Sequence, residues 1–305
     1  MSGTEYRSVF ARSQDGLQLH ARIYEREGAP AEARLPVVCL PGLTRNSSEF
    51  QRLALALLER NAADRIVAID YRGRGLSDRD PDPTHYTPQV ESMDLLVLLA
   101  QLGIGAAVFI GVSRGGLITM GLGAASPDLV RGMVLNDIGP VVEREGLLRI
   151  KSYVGHFPPP ADLAAAAATM RRVFGRDFPK LGEEEWRDWA RTVWMEEGGA
   201  LRLSYDPALS QTLDAVNETN PIPDLWGLWD QLAAIPAVVI RGANSDLLSA
   251  ATVEEMGRRH PGLVAIEVPD EGHTPLMHRP VLVDRLAAFI REVNARPAPA
   301  PKPPE

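Results

Sequence analysis

The sequence has one cysteine, Cys39, and no apolar run that approaches 18 residues. A single cysteine excludes an internal disulfide, and the apolar neighbours of Cys39 indicate a small core side chain. Without a long apolar run, no membrane span is predicted. The N-terminal segment MSGTEYRSVFARSQDG is polar and charged, unlike a secretory signal. We therefore expect a cytoplasmic protein.

Positive charge is in deficit, with 32 Lys and Arg against 40 Asp and Glu and a net charge of −8. An acidic balance disfavours nucleic acid and anionic membranes as main partners. Common cofactor motifs are also missing: there is no H-E-x-x-H, no Cys/His cluster, no G-x-x-x-x-G-K, and no G-x-G-x-x-G after a strand. We expect a small-molecule substrate, no metal and no cofactor.

Short apolar segments alternate with segments of helical spacing through most of the chain. The first two strand-like segments flank the turn QDG and predict a hairpin. Later strands are predicted at LPVVCL, RIVAID, AAVFIG, LVRGMVLND, AVVIRG and LVAIEVP, with helices between most of them. Strands that are apolar throughout and separated by helices predict a parallel sheet covered on both faces.

Residues 141–225 break this alternation and are predicted to be helical throughout. The five tryptophans lie in or at the end of this stretch, at positions 186, 189, 194, 226 and 229. We interpret it as a helical cap inserted between two parts of one core, residues 1–140 and 226–293. The tail, residues 294–305, is rich in Pro and Ala and is predicted to be disordered.

The segment GVSRGG contains the pattern G-x-S-x-G around Ser113, between a predicted buried strand and a predicted helix. Small residues two positions before and after the serine allow the strand and helix to approach closely. The serine would then stand at the carboxyl end of the sheet, beside the free N–H groups of a helix start. This setting predicts a nucleophile.

At these residues the chain resembles the α/β-hydrolase family, in particular serine esterases and lipases with a helical cap. The resemblance covers roughly residues 5 to 293 and is also carried by LPG (40–42), DYRGRGLSD (70–78), RGANSD and EGHTPLM. It implies an α/β fold with a mostly parallel eight-stranded sheet flanked by helices and an inserted all-helical cap.

The resemblance implies a triad of Ser113, His273 and Asp246, in the chain order typical of the fold. His273 would take the serine proton and return it to the leaving group. Asp246 would hold the histidine tautomer and stabilise the imidazolium. Asp137, at the end of a predicted strand, lies where some family members carry the acid, and it is the alternative to the favoured Asp246.

Two backbone N–H groups are expected to form the oxyanion hole, those of Leu43 and Arg114. Pro41 replaces the histidine that the family usually has before this loop, so the bracing of the loop must differ. Further residues predicted to line or border the substrate pocket are Thr44, Asp137, His156, Trp186, Trp189 and Trp226.

The predicted activity is hydrolysis of a small-molecule carboxylic ester through an acyl-enzyme. Lactone, thioester and carbon–carbon bond hydrolysis are alternatives on the same scaffold, since the fold does not choose among them. A ligand-binding protein of this fold and an aminopeptidase are further alternatives. The sequence is also compatible with a homodimer.

Overall fold

The computed structural model describes residues 6–26, 28 and 34–297. Within this part of the chain, the strands are β1 (Arg7–Arg12), β2 (Gln18–Glu25), β3 (Val37–Leu40), β4 (Arg65–Asp70), β5 (Ala107–Val112), β6 (Val130–Asn136), β7 (Trp194–Glu197), β8 (Ala200–Leu203), β9 (Ala237–Gly242) and β10 (Leu263–Val268). The α-helices are α1 (Gln51–Glu59), α2 (Pro88–Gln101), α3 (Arg114–Ala125), α4 (Arg144–Tyr153), α5 (Leu163–Phe174), α6 (Glu183–Val193), α7 (Trp226–Asp230), α8 (Ala250–Arg259) and α9 (Pro280–Ala295). Short 3₁₀ helices span Ser47–Phe50, Pro83–His85 and Pro207–Leu213.

Eight of these strands form one sheet in the order β1-β2-β4-β3-β5-β6-β9-β10. The pairs β1–β2 and β2–β4 are antiparallel, and every later pair is parallel. The parallel part brings the carboxyl ends of β3, β5, β6, β9 and β10 to one edge. The predicted fold class, a mostly parallel eight-stranded sheet flanked by helices, is confirmed.

The continuous apolar runs of the parallel strands follow from burial on both sides of the sheet. Successive residues of β5 enter opposite layers: Phe109 packs with α2 and α3, whereas Val108 and Ile110 pack with α1 and α9. All six residues of β5 are buried. A sheet covered on both faces has no polar face to alternate with, so a strand in it reads as an unbroken apolar segment.

The segment between β6 and β9 contains α4, α5 and α6 and also a β-hairpin, so it is not helical throughout as predicted. Strand β7 pairs antiparallel with β8 across Gly198 and Gly199, which have φ of +60° and +77°. A two-residue turn with positive φ at both positions suits the twist of a hairpin and favours Gly-Gly. The turn therefore ends the helical run soon after Val193.

The boundaries of the proposed cap, residues 141–225, stay a prediction. At the C-terminus, α9 continues to Ala295, so the first residues of the predicted disordered tail are helical. Residues 298–305 of that tail lie outside the described part of the chain.

Candidate active site

Ser113 stands in the tight turn between β5 and α3, with φ of +48° and ψ of −112°. Non-glycine residues rarely adopt this backbone region, and such strain persists where the surrounding structure enforces it. The Ser113 N–H donates to the Asn136 carbonyl at 3.0 Å, and the Ser113 carbonyl accepts from the Gly116 N–H at 2.8 Å. The neighbouring strand β6 and the helix after the serine thus hold the strained turn.

The two glycines of the motif are required by close backbone approach. A Cβ at Gly111 would lie 2.5 Å from the Gly115 carbonyl, and a Cβ at Gly115 would lie 2.2 Å from the Leu40 oxygen. Both contacts are with backbone atoms, which cannot move aside as a flexible side chain can. The G-x-S-x-G spacing therefore lets α3 start directly against β5 and β3.

Ser113, His273 and Asp137 form a continuous hydrogen-bonded chain. The Ser113 Oγ lies 2.9 Å from His273 Nε2, and His273 Nδ1 lies 2.8 Å from Asp137 Oδ2. His273 is 8% exposed and Asp137 is fully buried. The three side chains come from the ends of β5, β6 and β10, which the parallel sheet places at one edge.

Asp137 is held by two further donors, one at the end of β9 and one in the loop after it. The Gly242 N–H donates to Asp137 Oδ1 at 2.8 Å, and the Ser245 hydroxyl donates to Asp137 Oδ2 at 2.5 Å. With His273, both carboxylate oxygens are therefore engaged. These contacts fix the orientation of the carboxylate behind the histidine, and the sequence analysis did not identify Ser245.

The expectation that Asp246 contacts His273 is wrong. Asp246 forms an ion pair with Arg149 of α4, whose Nη2 lies 2.6 Å from Asp246 Oδ1. Both β6 and β9 end at the same edge, but Asp137 directly follows β6 and points under His273. Asp246 lies further along the loop after β9, where its side chain turns to α4. The carboxylate that contacts His273 is therefore that of Asp137, the alternative named in the sequence analysis.

The loop after β3, which contains Leu43, is braced by buried polar side chains. The Arg74 Nε donates to the Leu43 carbonyl at 2.9 Å, and the Ser47 N–H donates to Asp70 Oδ1 at 2.6 Å. Arg74 is itself ion paired with Glu91 at 2.8 Å, and both side chains are fully buried. These contacts can hold the loop in place of the histidine that Pro41 replaces.

Arg114 follows the serine and fixes the start of α3 through its side chain. Its Nε donates to Glu91 at 2.6 Å and its Nη2 to the Tyr86 carbonyl at 2.7 Å. The first N–H groups of a helix have no acceptor within that helix. The Arg114 N–H is therefore free to serve the oxyanion, and this role, like that of the Leu43 N–H, stays a prediction.

A small cavity of about 50 Å³ adjoins Ser113 and His273. Its apolar lining comes from the loop after β3 and from the segment between β6 and β9: Leu43, Ile150, Tyr153, Val154, Phe157, Met170, Phe174 and Val193. Helices α4, α5 and α6 therefore contribute residues that enclose the serine. The cavity suits a short apolar group.

The other residues predicted at the pocket have mixed placements. Thr44 lines the small cavity. His156 is exposed, and Trp226 lies under Arg259, whose guanidinium carbon is 4.6 Å from the ring centre. Trp186 is buried against Trp189, with ring centres 5.5 Å apart. The structure thus places His156, Trp186 and Trp226 away from the lining of this cavity, and Asp137 behind His273.

A larger cavity of about 280 Å³ lies next to the small one and shares Arg45, Val112 and Thr274 with it. Trp189, predicted at the pocket, lines this larger cavity instead. Its walls are the 3₁₀ helix at Ser47–Phe50 with α1, helix α6, and the segment after His273. We refer to it below as the charged cavity, because Arg45, Glu49, Arg52, Glu185, Asp188 and Arg191 line it.

Glu49 in the charged cavity gives a pH-dependent stability that can be measured. Burial raises the pKa of its carboxyl to about 7 from the ordinary 4.5, against the opposing effects of Arg45 and the Gly42 N–H. A carboxyl whose pKa rises on folding stabilises the protein below its unfolded pKa, and this contribution is lost as pH rises through the folded pKa. Between pH 5 and pH 8 the wild type is expected to lose on the order of 2 to 3 kcal/mol relative to Glu49→Gln.

Urea unfolding of both proteins at several pH values measures this difference. Other titrating groups are common to the two proteins and cancel in the comparison, so only the change with pH matters. Parallel stability curves for wild type and Glu49→Gln would show that this carboxyl ionises at its ordinary pKa.

One group of potential metal ligands lies away from the serine. In the described residues, Asp15, Asp80 and His85 place ligand atoms within 4.8 Å of one another. Arg72 already donates to Asp15 at 2.8 Å and to Asp80 at 2.5 Å. Because the guanidinium neutralises these carboxylates, the cluster gives no argument for a metal.

In the described part of the chain, no helix combines the length and hydropathy needed to cross a membrane. A family model described as "Alpha/beta hydrolase family" matches residues 37–286. A 3-hydroxybutyrate-oligomer hydrolase of Cupriavidus necator is 34% identical over 274 residues, covering 87% of this chain and 91% of the relative. A 2-(acetamidomethylene)succinate hydrolase of Mesorhizobium japonicum is 29% identical, covering 76% of this chain and 79% of the relative.

Among solved structures, an alpha/beta hydrolase from Novosphingobium aromaticivorans superimposes with a TM-score of 0.86. It is 37% identical in sequence, and the match covers 95% of this chain and 99% of that one.

Proposed function

The chain belongs to the alpha/beta hydrolase family, and from that premise we propose that it hydrolyses a small-molecule carboxylic ester through an acyl-enzyme, using Ser113, His273 and Asp137. That it is a hydrolase follows from its family and its relatives. The proposal of a triad is supported chiefly by the hydrogen-bonded chain from Ser113 Oγ through His273 to Asp137.

The geometry suits nucleophilic catalysis. A serine hydroxyl is a weak nucleophile until a base accepts its proton, and His273 Nε2 lies within hydrogen-bond distance of Ser113 Oγ. As Oγ attacks the ester carbonyl, the proton moves to Nε2, and Asp137 stabilises the resulting imidazolium. The imidazolium then protonates the leaving alcohol oxygen, which leaves an acyl-enzyme on Ser113.

Hydrolysis of the acyl-enzyme repeats these steps with water. His273 takes a proton from water, the hydroxide attacks the acyl carbonyl, and the Ser113 oxygen leaves as the proton returns to it. Both tetrahedral intermediates carry a negative oxygen, for which we propose the N–H groups of Leu43 and Arg114. The brace from Arg74 to the Leu43 carbonyl supports a fixed position for the first of these donors.

The small apolar cavity favours an ester with a short acyl chain. The residues of α4, α5 and α6 that enclose it support the proposal that residues 141–225 act as a cap over the serine. The Cupriavidus relative is named for 3-hydroxybutyrate oligomers, and esters of short hydroxy acids are accordingly the first compounds to test.

Covalent labelling with a fluorophosphonate tests the proposed nucleophile. Attack by Ser113 Oγ on phosphorus with loss of fluoride should give one adduct per chain, visible in the intact mass and located on Ser113 by peptide mapping. Ser113→Ala should remain unlabelled. Ser126→Ala, at the other end of α3, is the matched control and should label like the wild type. A folded wild type that forms no adduct, or an adduct on another residue, would contradict the assignment.

A further inference from the structure

The charged cavity lies beside the catalytic residues and has no part in the mechanism above. It holds about 280 Å³, several times the small cavity at the serine. Arg45 lines both cavities, as do Val112 and Thr274. A molecule bound with its carbonyl at Ser113 can therefore extend past Arg45 into the charged cavity.

Most charged side chains in this cavity already have close partners of opposite sign. Arg191 lies 2.7 Å from Asp188 and 3.3 Å from Glu184, and Arg52 is paired with the Asp188 carboxylate. Glu185 lies 2.5 Å from Arg279. These groups neutralise one another and leave little attraction for a charged ligand.

Arg45 is the exception. Its nearest carboxylate oxygen, on Glu49, is 3.8 Å away, which is longer than a charge-assisted hydrogen bond. Its guanidinium carbon lies 4.8 Å from the ring centre of Trp189. Among the described residues no hydrogen-bond acceptor contacts its guanidinium, although only 17% of the side chain is exposed. None of its nitrogens is among the fully buried atoms that lack a partner, so its unused donors face the open cavity, where a ligand can reach them.

Glu49 neutralises Arg45 incompletely. Burial raises the pKa of the Glu49 carboxyl to about 7, so a substantial fraction of it is uncharged near neutral pH. Other buried polar atoms in the lining also lack hydrogen-bond partners within the described chain: Glu49 Oε1, Asn136 Oδ1 and the indole nitrogen of Trp189. A polar ligand group in this cavity would find unused donors and acceptors, and the net excess is positive at Arg45.

We propose that the charged cavity binds a carboxylate carried by the alcohol part of the substrate, and that Arg45 selects for this carboxylate. The inference rests on the proposed ester hydrolysis. Arginine suits the role because its planar guanidinium can donate two parallel hydrogen bonds to one carboxylate.

The side of the ester that enters this cavity follows from the position of the proton donor. His273 must protonate the leaving oxygen, so the alcohol part departs on the histidine side of the serine. The segment directly after His273, from Thr274 to His278, forms a wall of the charged cavity. The acyl chain is left with the small cavity, where Met170 and Phe174 provide an apolar wall.

Two esters that differ by one charge test the proposal. 3-(Butanoyloxy)butanoate and its primary amide, 3-(butanoyloxy)butanamide, have the same acyl group and nearly the same size. The release of butanoate, a product common to both, gives kcat/KM for each. We expect the wild type to favour the anionic ester and Arg45→Met to lower the anionic-to-neutral ratio about 10- to 100-fold. Methionine is unbranched like arginine and can still pack beside Trp189.

Arg191→Met is the matched control, because it removes from the same cavity a positive charge that is already paired with Asp188 and Glu184. Its ratio should stay within about twofold of the wild type, since a paired charge contributes little. An equal fall in both variants would show a general effect of cavity charge and overturn the selective role of Arg45. An unchanged ratio in Arg45→Met would overturn it directly.

Calorimetric binding of 3-(butanoyloxy)butanoate to Ser113→Ala separates this inference from the proposed hydrolysis. Ser113→Ala leaves the charged cavity intact and prevents turnover. Adding Arg45→Met should raise the Kd about 10- to 100-fold. If the wild type cleaves neither ester but Arg45 still controls binding, ester hydrolysis fails and the binding site stands. If the Kd does not change, the binding site is wrong whatever the enzyme hydrolyses.

Discussion

Asp137→Asn is expected to lower kcat about 10⁴-fold, whereas Asp246→Asn is expected to leave kcat within a few-fold of the wild type. Asp137 Oδ2 accepts a hydrogen bond from His273 Nδ1 at 2.8 Å. An asparagine amide there can donate to Nδ1 instead, which places the histidine proton on Nε2, the atom that must accept the serine proton. The neutral amide also gives no charge to stabilise the imidazolium.

The Asp246 variant is a closely matched control, because it makes the same Asp-to-Asn change at the carboxylate that the sequence favoured as the acid of the triad. Asp246 is about a quarter exposed and paired with Arg149. Arg149 keeps Asp177 as a partner at 3.1 Å, so the isosteric change should cost less stability than breaking a fully buried pair. Steady-state kinetics with one ester, and thermal unfolding of both variants, make the comparison. The reverse ranking of kcat would return the role of the acid to Asp246.

The pattern around Ser113 could be interpreted from the sequence because its constraints are local. Gly111 and Gly115 are needed where backbone meets backbone, and continuous apolar segments identify β3, β4, β5 and β6 as strands covered on both faces. Parallel pairing then brings the ends of β5 and β10 to one edge. The position of His273 next to Ser113 follows from this topology.

The choice between Asp137 and Asp246 could not be made in this way. Strands β6 and β9 are neighbours and end at the same edge, so chain order places both carboxylates near the histidine. Which carboxylate contacts His273 depends on where each side chain points, and the positions differ by only a few ångströms. Asp137 has φ of +56° and directs its carboxylate towards Ser245 and Gly242, whereas Arg149 draws Asp246 to α4. Neither the backbone angle nor the arginine partner can be read from the spacing of residues.

Three other features could not be predicted from the residue pattern alone. The hairpin of β7 and β8 was not predicted, because the helical pattern before it was taken to continue through it. Gly198-Gly199 is nevertheless a recognisable turn signal. The sequence predicted both Trp186 and Trp189 at the substrate pocket. It did not distinguish Trp189, which lines the charged cavity, from Trp186, which packs beneath it. Arg45 was not predicted, because no sequence pattern identifies an arginine whose guanidinium lacks a close hydrogen-bond acceptor in the folded chain.

Ser113→Ala and His273→Ala are each expected to lower kcat about 10⁶-fold, and the double variant is expected to be no slower than either single variant. Residues that act as one unit give non-additive losses in kcat. Without the histidine the serine is not activated, and without the serine the histidine has no hydroxyl proton to accept. Here the unit is defined by the contact of 2.9 Å between Ser113 Oγ and His273 Nε2. Residual catalysis in all three proteins would come from substrate binding and from the N–H groups proposed for the oxyanion.

Losses of this size are easily obscured by traces of wild-type enzyme. Each variant preparation, but not the wild-type reference, should be treated with the fluorophosphonate and freed of reagent before kinetics. This treatment inactivates contaminating wild-type enzyme and leaves Ser113→Ala unchanged. Single-turnover and steady-state rates on one ester then give the three ratios to the wild type. A double variant whose loss equals the product of the two single losses would mean that Ser113 and His273 contribute independently. The short contact between them would then describe packing at the edge of the sheet and not a catalytic pair.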